Sequence, residues 1–405
     1  MRPCATSENA QTGRLDLQLA VRTLLIVVFS SAFVWAPSAL VAQQGAAGDA
    51  RLEAALKDLD ATIAADFAKD GVGGFSLGVV SGKQLVWSGH YGYAETETKR
   101  VPTNDTVYRI GSITKQFTAL ALLQLVEQGK IRLTDPLEQH VPEAKQIQKA
   151  PVGTPAITLL QVATMHSGLA REPACQNHSV GPVSAWQQIV VRCLPQTSYA
   201  NEPGTTYLYS NIGYASLGLA IERAGGRPFI AQVAERILQP LGMSRSGMEA
   251  TTAMRENLAH GYQRNQAGVV SRANADREID GRGYRVPNGA LFSTINDLAR
   301  FVSWELGEGP EGILNKATQD ANYARAFFSN AAMTSGYGVG FTVSRRGDVV
   351  MLGHGGSTAG YHASALFHRG SKLGVIALRG CDSCPVDAGP VASRTLERVV
   401  TAMTR

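Results

Sequence analysis

The stretch RIGSITKQFTALALLQLVEQG, Arg109–Gly129, constrains this chain more than any other. From Phe117 to Val126 only Thr118 and Gln124 interrupt an apolar run, so a helix formed here has no face polar enough to meet water. Such a helix belongs at the centre of a fold, with other elements against it on nearly all sides. Yet Lys115 stands in its first turn. The helix dipole disfavours a cation there, and a buried, unpaired ammonium is costly unless it gives up its proton. Ser112, three residues earlier, shares the face of the lysine.

S-x-x-K alone is a weak signal, since a capping serine beside a solvated lysine produces it as well. The cap accounts for Ser112 but leaves Lys115 unexplained. Nucleophilic catalysis accounts for both. A hydroxyl needs a base to take its proton, and a nearby ammonium lowers the pKa of that base. A helix N-terminus adds an N–H and positive potential for a developing oxyanion. PGTTYLYSNIGYASLG supplies a candidate base, Tyr209, in a loop just before a helical pattern. Alone it reads as a core aromatic followed by a capping Ser or Asn. Beside a lysine its phenol becomes a usable proton acceptor, and Asn211 can hold the lysine and receive a substrate amide. The third piece is LGHGGSTAGY, where His354, Gly355, Gly356 and Ser357 end a strand. It is either a glycine-rich hairpin or an edge along which a substrate lies against backbone, with the Ser357 N–H as second oxyanion donor.

The order of patterns along the chain predicts how these pieces meet. RLEAALKDLDATIAADFAKD has helical spacing, and GGFSLGVVSGKQLVWSGHYGYAE reads as two strands joined at Ser81–Lys83. Residues from Ser112 to about Arg300 are mostly helical patterns separated by Pro/Gly loops. Three strand-like runs follow, DVVMLGHGG, YHASALFH and KLGVIALRG, and a last helix is expected over Ala388–Met403. Strands at both ends with helices between predict one sheet built from both chain ends and a helical lobe inserted in it. At 405 residues and 44% hydrophobic, the chain can bury a large core in one domain or two.

The N-terminus reads as a targeting segment. Arg14 and Arg22 precede TLLIVVFSSAFVWAPSALVA and then polar QQGAAGDA, which predicts a secretory signal over residues 1–42 cut after Ala42, a linker over 43–50 and the working domain over 51–405. An uncleaved membrane anchor facing outside is the alternative, since the apolar stretch is about long enough to span. Four cysteines remain beyond the signal: Cys175, Cys193, Cys381 and Cys384. In an oxidising compartment they predict two bridges, most simply Cys175–Cys193 and Cys381–Cys384. A four-cysteine zinc site is disfavoured, because only one pair has C-x-x-C spacing. Residues 1–42 hold three Arg, one Glu and one Asp, so their removal lowers the formal charge from +5 to +4. With no basic run, that gives no case for nucleic-acid binding.

S-x-x-K, then Y-x-N, then an H-G-G strand, in this order, resembles the penicillin-binding-protein-like serine hydrolases, which include class C β-lactamases, DD-peptidases and family VIII esterases. ITLLQVATMHSGL, ILQPLGM, GALFSTINDLARF and SGYGVGF resemble the connecting segments of that family. The resemblance runs from about Gly73 to Gly380. It implies an α/β (α+β) fold of the β-lactamase/transpeptidase type: an antiparallel sheet flanked by helices, an inserted all-helical lobe, and the active site at their junction. It also implies Ser112 as the acylated nucleophile, Lys115 as its activator, and Tyr209 as general base for acylation and then acid toward the leaving group. Asn211, His354, Gly355, Gly356 and Ser357 would bind substrate, with the N–H groups of Ser112 and Ser357 as oxyanion hole. No metal or organic cofactor is implied. His354 and Gly355 stand where many relatives that bind a substrate carboxylate have lysine and a hydroxyl residue, and His354 is expected to gain charge toward pH 6.

The expected function is an exported, periplasmic or secreted, serine hydrolase acting on small-molecule esters, amides or D-amino-acid peptides. A class C-like β-lactamase is the narrower alternative, and a penicillin-binding sensor or scaffold without turnover is the non-enzymatic one. A G-x-S-x-G hydrolase is disfavoured, because GGSTA ends in Ala359 where that motif needs glycine. Loops such as Arg171–Tyr199 are expected to shape the pocket.

Overall fold

Gly74–Ser81 (β1) and Gln84–Gly92 (β2) pair antiparallel, and Gly82 at their turn takes a positive φ that favours glycine. They are one end of an eight-stranded sheet in a computed structural model that describes residues 38–148 and 153–404. The other strands are Phe327–Phe328 (β3), Ser335–Tyr337 (β4), Thr342–Arg346 (β5), Val349–Thr358 (β6), Tyr361–His368 (β7) and Leu373–Arg379 (β8). Their order is β2-β1-β8-β7-β6-β5-β4-β3, with every neighbouring pair antiparallel. The N-terminal hairpin thus joins the sheet against the last strand, so both parts of the chain build it, as expected. Asp70 and Arg379 reinforce that closure with a buried ion pair at 2.9 Å.

β8 is buried along its whole length because both faces of the sheet are covered. Val375 and Ala377 face one apolar layer and Ile376 and Leu378 the other, following the two-residue period of a strand. The first layer packs under Ser38–Asp70 (α1) and Ala388–Thr404 (α5). The stripe Leu52, Leu56, Leu59, Ile63 and Phe67 recurs every three to four residues and turns the described apolar face of α1 inward. On the opposite face lie Thr114–Glu127 (α2), Asn211–Gly225 (α3) and Ile295–Glu305 (α4). Every residue of α2 from Thr114 to Leu125 is buried, so this helix is enclosed all round as its composition requires. Phe117 stacks on Phe301 at 4.3 Å and locks α2 to α4.

The structure departs from the expected fold in three places. The sheet has eight strands, since β3, β4 and β5 extend it beyond the expected five; β3 and β4 are only two and three residues long, too short for a two-residue period to show. The lobe is not all helical: Gln263–Arg264 pairs with Val270–Ser271 across a turn in which Gly268 has φ +80°. Residues 43–50, expected as a linker, lie within α1, which begins at Ser38 in an alanine-rich stretch of high helix propensity. Ala47–Arg405 forms one compact unit. The expected signal falls mainly on residues 1–37, outside the described residues.

Candidate active site

A 3₁₀ turn, Gly111–Ile113, leads directly into α2 and carries Ser112. Ser112 is half-buried while its neighbours on both sides are fully buried. Its hydroxyl caps nothing. Thr114 ties the turn instead, donating from Oγ1 to the Gly111 carbonyl at 2.6 Å and accepting from Leu291 N at 3.1 Å. Ser112 is therefore held at a helix start with its Oγ free for Lys115, whose Nζ lies 3.1 Å away.

Lys115 Nζ also lies 2.9 Å from Asn211 Oδ1 and 2.9 Å from the Asn288 carbonyl oxygen. With Ser112 Oγ that makes three oxygen partners, which an ammonium meets with three N–H donors and a neutral amine with two N–H donors and a lone pair toward the Ser112 hydroxyl. Burial pushes the Lys115 pKa well below its ordinary value, and the positive charges of Arg282, Arg171 and Arg285 add to the effect against the opposing Glu172. No carboxylate pairs directly with it among the described residues. The cost of burying an ammonium here favours the neutral form of Lys115.

Tyr209 precedes the N-cap of α3. Ser210 fills the cap by accepting from Gly213 N at 3.1 Å, which leaves Tyr209 outside the helix and facing Lys115. Lys115 Nζ is 4.8 Å from the centroid of its ring. Burial raises the phenol pKa above its ordinary value, and the hydroxyl of Ser112 tempers the rise. Asn211 opens α3, and both ends of its amide are engaged. Its Oδ1 receives Lys115, and its Nδ2 donates to Glu172 Oε1 at 2.7 Å. Its first task is thus to orient the lysine.

β6 brings the third motif against the Gly111–Ile113 turn. A Cβ on Gly356 would collide with the Ile110 carbonyl and stand 3.0 Å from Ser112 N, and one on Gly111 would stand 2.7 Å from Ser357 N. Glycine at 111 and 356 is what lets the Ser112 and Ser357 backbones converge. β6 pairs with β7 from Leu352 to Thr358 but with β5 only as far as Gly353. Its other edge at Gly355–Ser357 is therefore unpaired among the described residues, a place for an extended substrate to lie.

His354 corrects an expectation. Its side chain is buried and both ring nitrogens are engaged, with Nε2 2.9 Å from Tyr337 Oη and Nδ1 2.5 Å from the Gly355 carbonyl. The carbonyl can only accept, so Nδ1 carries the proton and Nε2 accepts from Tyr337. Burial pushes its pKa down to about 3. No charge appears on it toward pH 6.

The structure brings Ser112, Lys115, Tyr209, Asn211, Gly355, Gly356 and Ser357 together and buries the His354 ring beside them, 6.3 Å from the ring of Tyr209. It adds Asn288, Glu172 and Tyr337. Asn288 holds α3 as well as Lys115, donating from Nδ2 to the Asn211 carbonyl at 2.9 Å. PNG at Pro287–Gly289 reads only as a turn, so the sequence carried no sign of it. Glu172 sits in the loop expected to shape the pocket, and Tyr337 in SGYGVGF, a stretch noted only as a resemblance. Cys175 pairs with Cys193 and Cys381 with Cys384, at Cα separations of 5.2 and 5.8 Å, as the spacing suggested.

Residues 59–379 match the family described as Beta-lactamase. Beta-lactamase-like protein 2 of Dictyostelium discoideum is 27% identical over 344 residues, covering 81% of this chain and 60% of the relative. The chain thus spans less than two thirds of the length of that curated relative. Among solved structures, the octameric penicillin-binding protein homologue from Pyrococcus abyssi superposes with a TM-score of 0.72 at 26% identity, over 85% of this chain and 77% of that one. A D-stereospecific amidohydrolase from Streptomyces sp. shares the fold, with a TM-score of 0.65 at 24% identity over 88% of this chain and 98% of that one.

Proposed function

The chain belongs to the beta-lactamase family of penicillin-binding-protein-like proteins, and on that premise we propose that it is a serine hydrolase working through an acyl-enzyme on Ser112. Its substrates are small esters, amides or D-amino-acid peptides. The observation that carries this reading is the three-way engagement of Lys115 Nζ by Ser112 Oγ, Asn211 Oδ1 and the Asn288 carbonyl. A resting scaffold has no use for a fully buried lysine held against a half-open serine.

The neutral amine of Lys115 takes the Ser112 proton as Oγ attacks the substrate carbonyl. The N–H groups of Ser112 and Ser357 receive the oxyanion, which needs donors fixed before charge develops. Tyr209, protonated at rest, gives its proton to the departing group and regains one from the ammonium of Lys115, which holds the proton taken from Ser112. The resemblance gave Tyr209 the part of base. Burial argues for the exchange, because it raises the phenol and lowers the amine. Water then attacks the acyl group, with the same groups working in reverse.

The two cysteine pairs support export to an oxidising compartment. No helix among the described residues is long and apolar enough to cross a membrane. A β-lactamase is the weaker reading, because the third motif offers no cation for a substrate carboxylate: His354 is neutral and Gly355 has no side chain. Intact-mass analysis after exposure to a penicillin, a p-nitrophenyl ester and a D-Ala-D-Ala peptide tests the proposal. Acylation followed by recovery supports a hydrolase and names its substrate class. A permanent adduct with penicillin alone would point to a sensor, and no adduct with any of the three would count against the acyl-enzyme.

A further inference from the structure

The third motif leaves the pocket without a cation where relatives carry one, yet three arginines surround Lys115. Two of them are occupied. Arg282 is 6% exposed, pairs with Glu278 at 2.8 Å and donates to the Gly289 carbonyl at 3.1 Å. Arg285 reaches Glu172 at 3.1 Å. Arg171 differs. Its side chain is 65% exposed, and the carboxylate paired with it, Glu172, is at 3.9 Å. That carboxylate is already held by Asn211 Nδ2 at 2.7 Å, by Tyr284 Oη and by Arg285. The Arg171 guanidinium thus has only that long contact and no side-chain hydrogen bond among the described residues, and it lies 5.0 Å from the ring centroid of Tyr209.

We propose that Arg171 recognises an anionic group, a carboxylate in the first instance, on the substrate. The inference rests on the serine-hydrolase reading and adds to it a substrate class and the residue that selects it. The placement suits the task. The ring of Tyr209 holds the guanidinium by a cation–π contact while leaving its N–H fork open. A planar fork binds a carboxylate through two parallel hydrogen bonds, which a histidine with both nitrogens engaged cannot do. The main chain of Arg171 is fixed as well, its carbonyl accepting from Asn211 N at 2.9 Å. The side chain therefore hangs from a backbone anchored to the catalytic loop and reaches over the phenol that serves the reaction.

Two pairs of thioesters test this. Benzoylglycyl-thioglycolate and its methyl ester differ by a carboxylate on the leaving side. N-succinylglycyl and N-butyrylglycyl thioesters of methyl thioglycolate differ by one on the acyl side. For each pair the measured quantity is the ratio of kcat/KM, charged over neutral, in wild type, Arg171→Gln and Arg171→Lys. In at least one pair the ratio should fall about tenfold in Arg171→Gln, the scale of one charged hydrogen-bonded contact near solvent. It should be partly restored in Arg171→Lys and should shrink with added salt in wild type. The pair that responds locates the carboxylate. If Arg171 only tunes Tyr209, both members of each pair fall together and the ratios stay constant, which overturns the inference and leaves the hydrolase reading intact. If wild type hydrolyses none of the four and Ser112 takes no fluorophosphonate label, the hydrolase reading fails and this inference falls with it.

Discussion

The backbones of Gly356 and Ser112 approach so closely that a Cβ on Gly356 would stand 3.0 Å from Ser112 N, on top of the Ile110 carbonyl. At Gly355, one residue earlier, the nearest atom to an added Cβ is the Ala363 carbonyl at 3.7 Å, an ordinary contact. Adjacent glycines of one motif should therefore respond differently. Gly356→Ala must push β6 away from the nucleophile turn, parting the two oxyanion donors. We expect a loss of kcat/KM of about 10²-fold or more, the scale of removing one such donor, with destabilisation of about 1–3 kcal/mol from overpacking. Gly355→Ala should stay within about threefold of wild type, given its open surroundings. Ester hydrolysis and thermal unfolding of the two variants check the contrast.

Lys115→Ala and Tyr209→Phe should each lower kcat/KM by about 10²–10⁴-fold, the usual range for a general base or acid. The double variant should lose little more, because both groups serve one proton path. Lys115 must be unprotonated to act, so activity should fall as pH drops through its depressed pKa. The raised phenol of Tyr209 places any alkaline loss above pH 10. A pH–rate profile of wild type, together with the three variants at one pH, measures both claims. Losses that multiply as independent factors would contradict the shared path.

His354 should stay neutral across the working range. Its folded pKa of about 3 lies below the ordinary 6.5, so below about pH 6.5 the unfolded chain binds a proton that the native state does not. The stability contributed by this residue is complete above that pH. It declines by up to about 1.4 kcal/mol per pH unit as pH falls from about 6.5 toward 3. His354→Gln should flatten the acid side of the melting-temperature profile. The imidazole resonances of His354 should not move between pH 8 and pH 5, and a titration midpoint near 6.5 would refute its burial against Tyr337.

The helix that had to be buried, the two strands at the start, the three near the end and the final helix were all legible, because each is a long apolar run or carries a sustained periodicity. Ser112, Lys115, Tyr209 and Asn211 were legible because S-x-x-K conflicts with a buried helix unless it has chemical work to do. What was not legible depends on tertiary contact. Asn288 receives Lys115 on a backbone carbonyl, which any residue there would supply, and its side chain reaches Asn211 only because the fold brings the two segments together. Glu172 and Arg171 gain meaning only where the loop brings them to Asn211 and Tyr209. The surroundings of His354 could not be read from β6 alone, because its partner Tyr337 sits two strands earlier, on β4.

The central claim is that Ser112 forms the covalent intermediate with the help of Lys115. The most direct measurement is intact mass with peptide mapping after treatment with a fluorophosphonate, on wild type and Ser112→Ala. Ser112→Ala should fold normally, since the hydroxyl caps no helix. The account predicts one adduct per wild-type chain, mapped to Ser112, and none on Ser112→Ala. An adduct mapped to another residue, or labelling of Ser112→Ala at the wild-type rate, would contradict it.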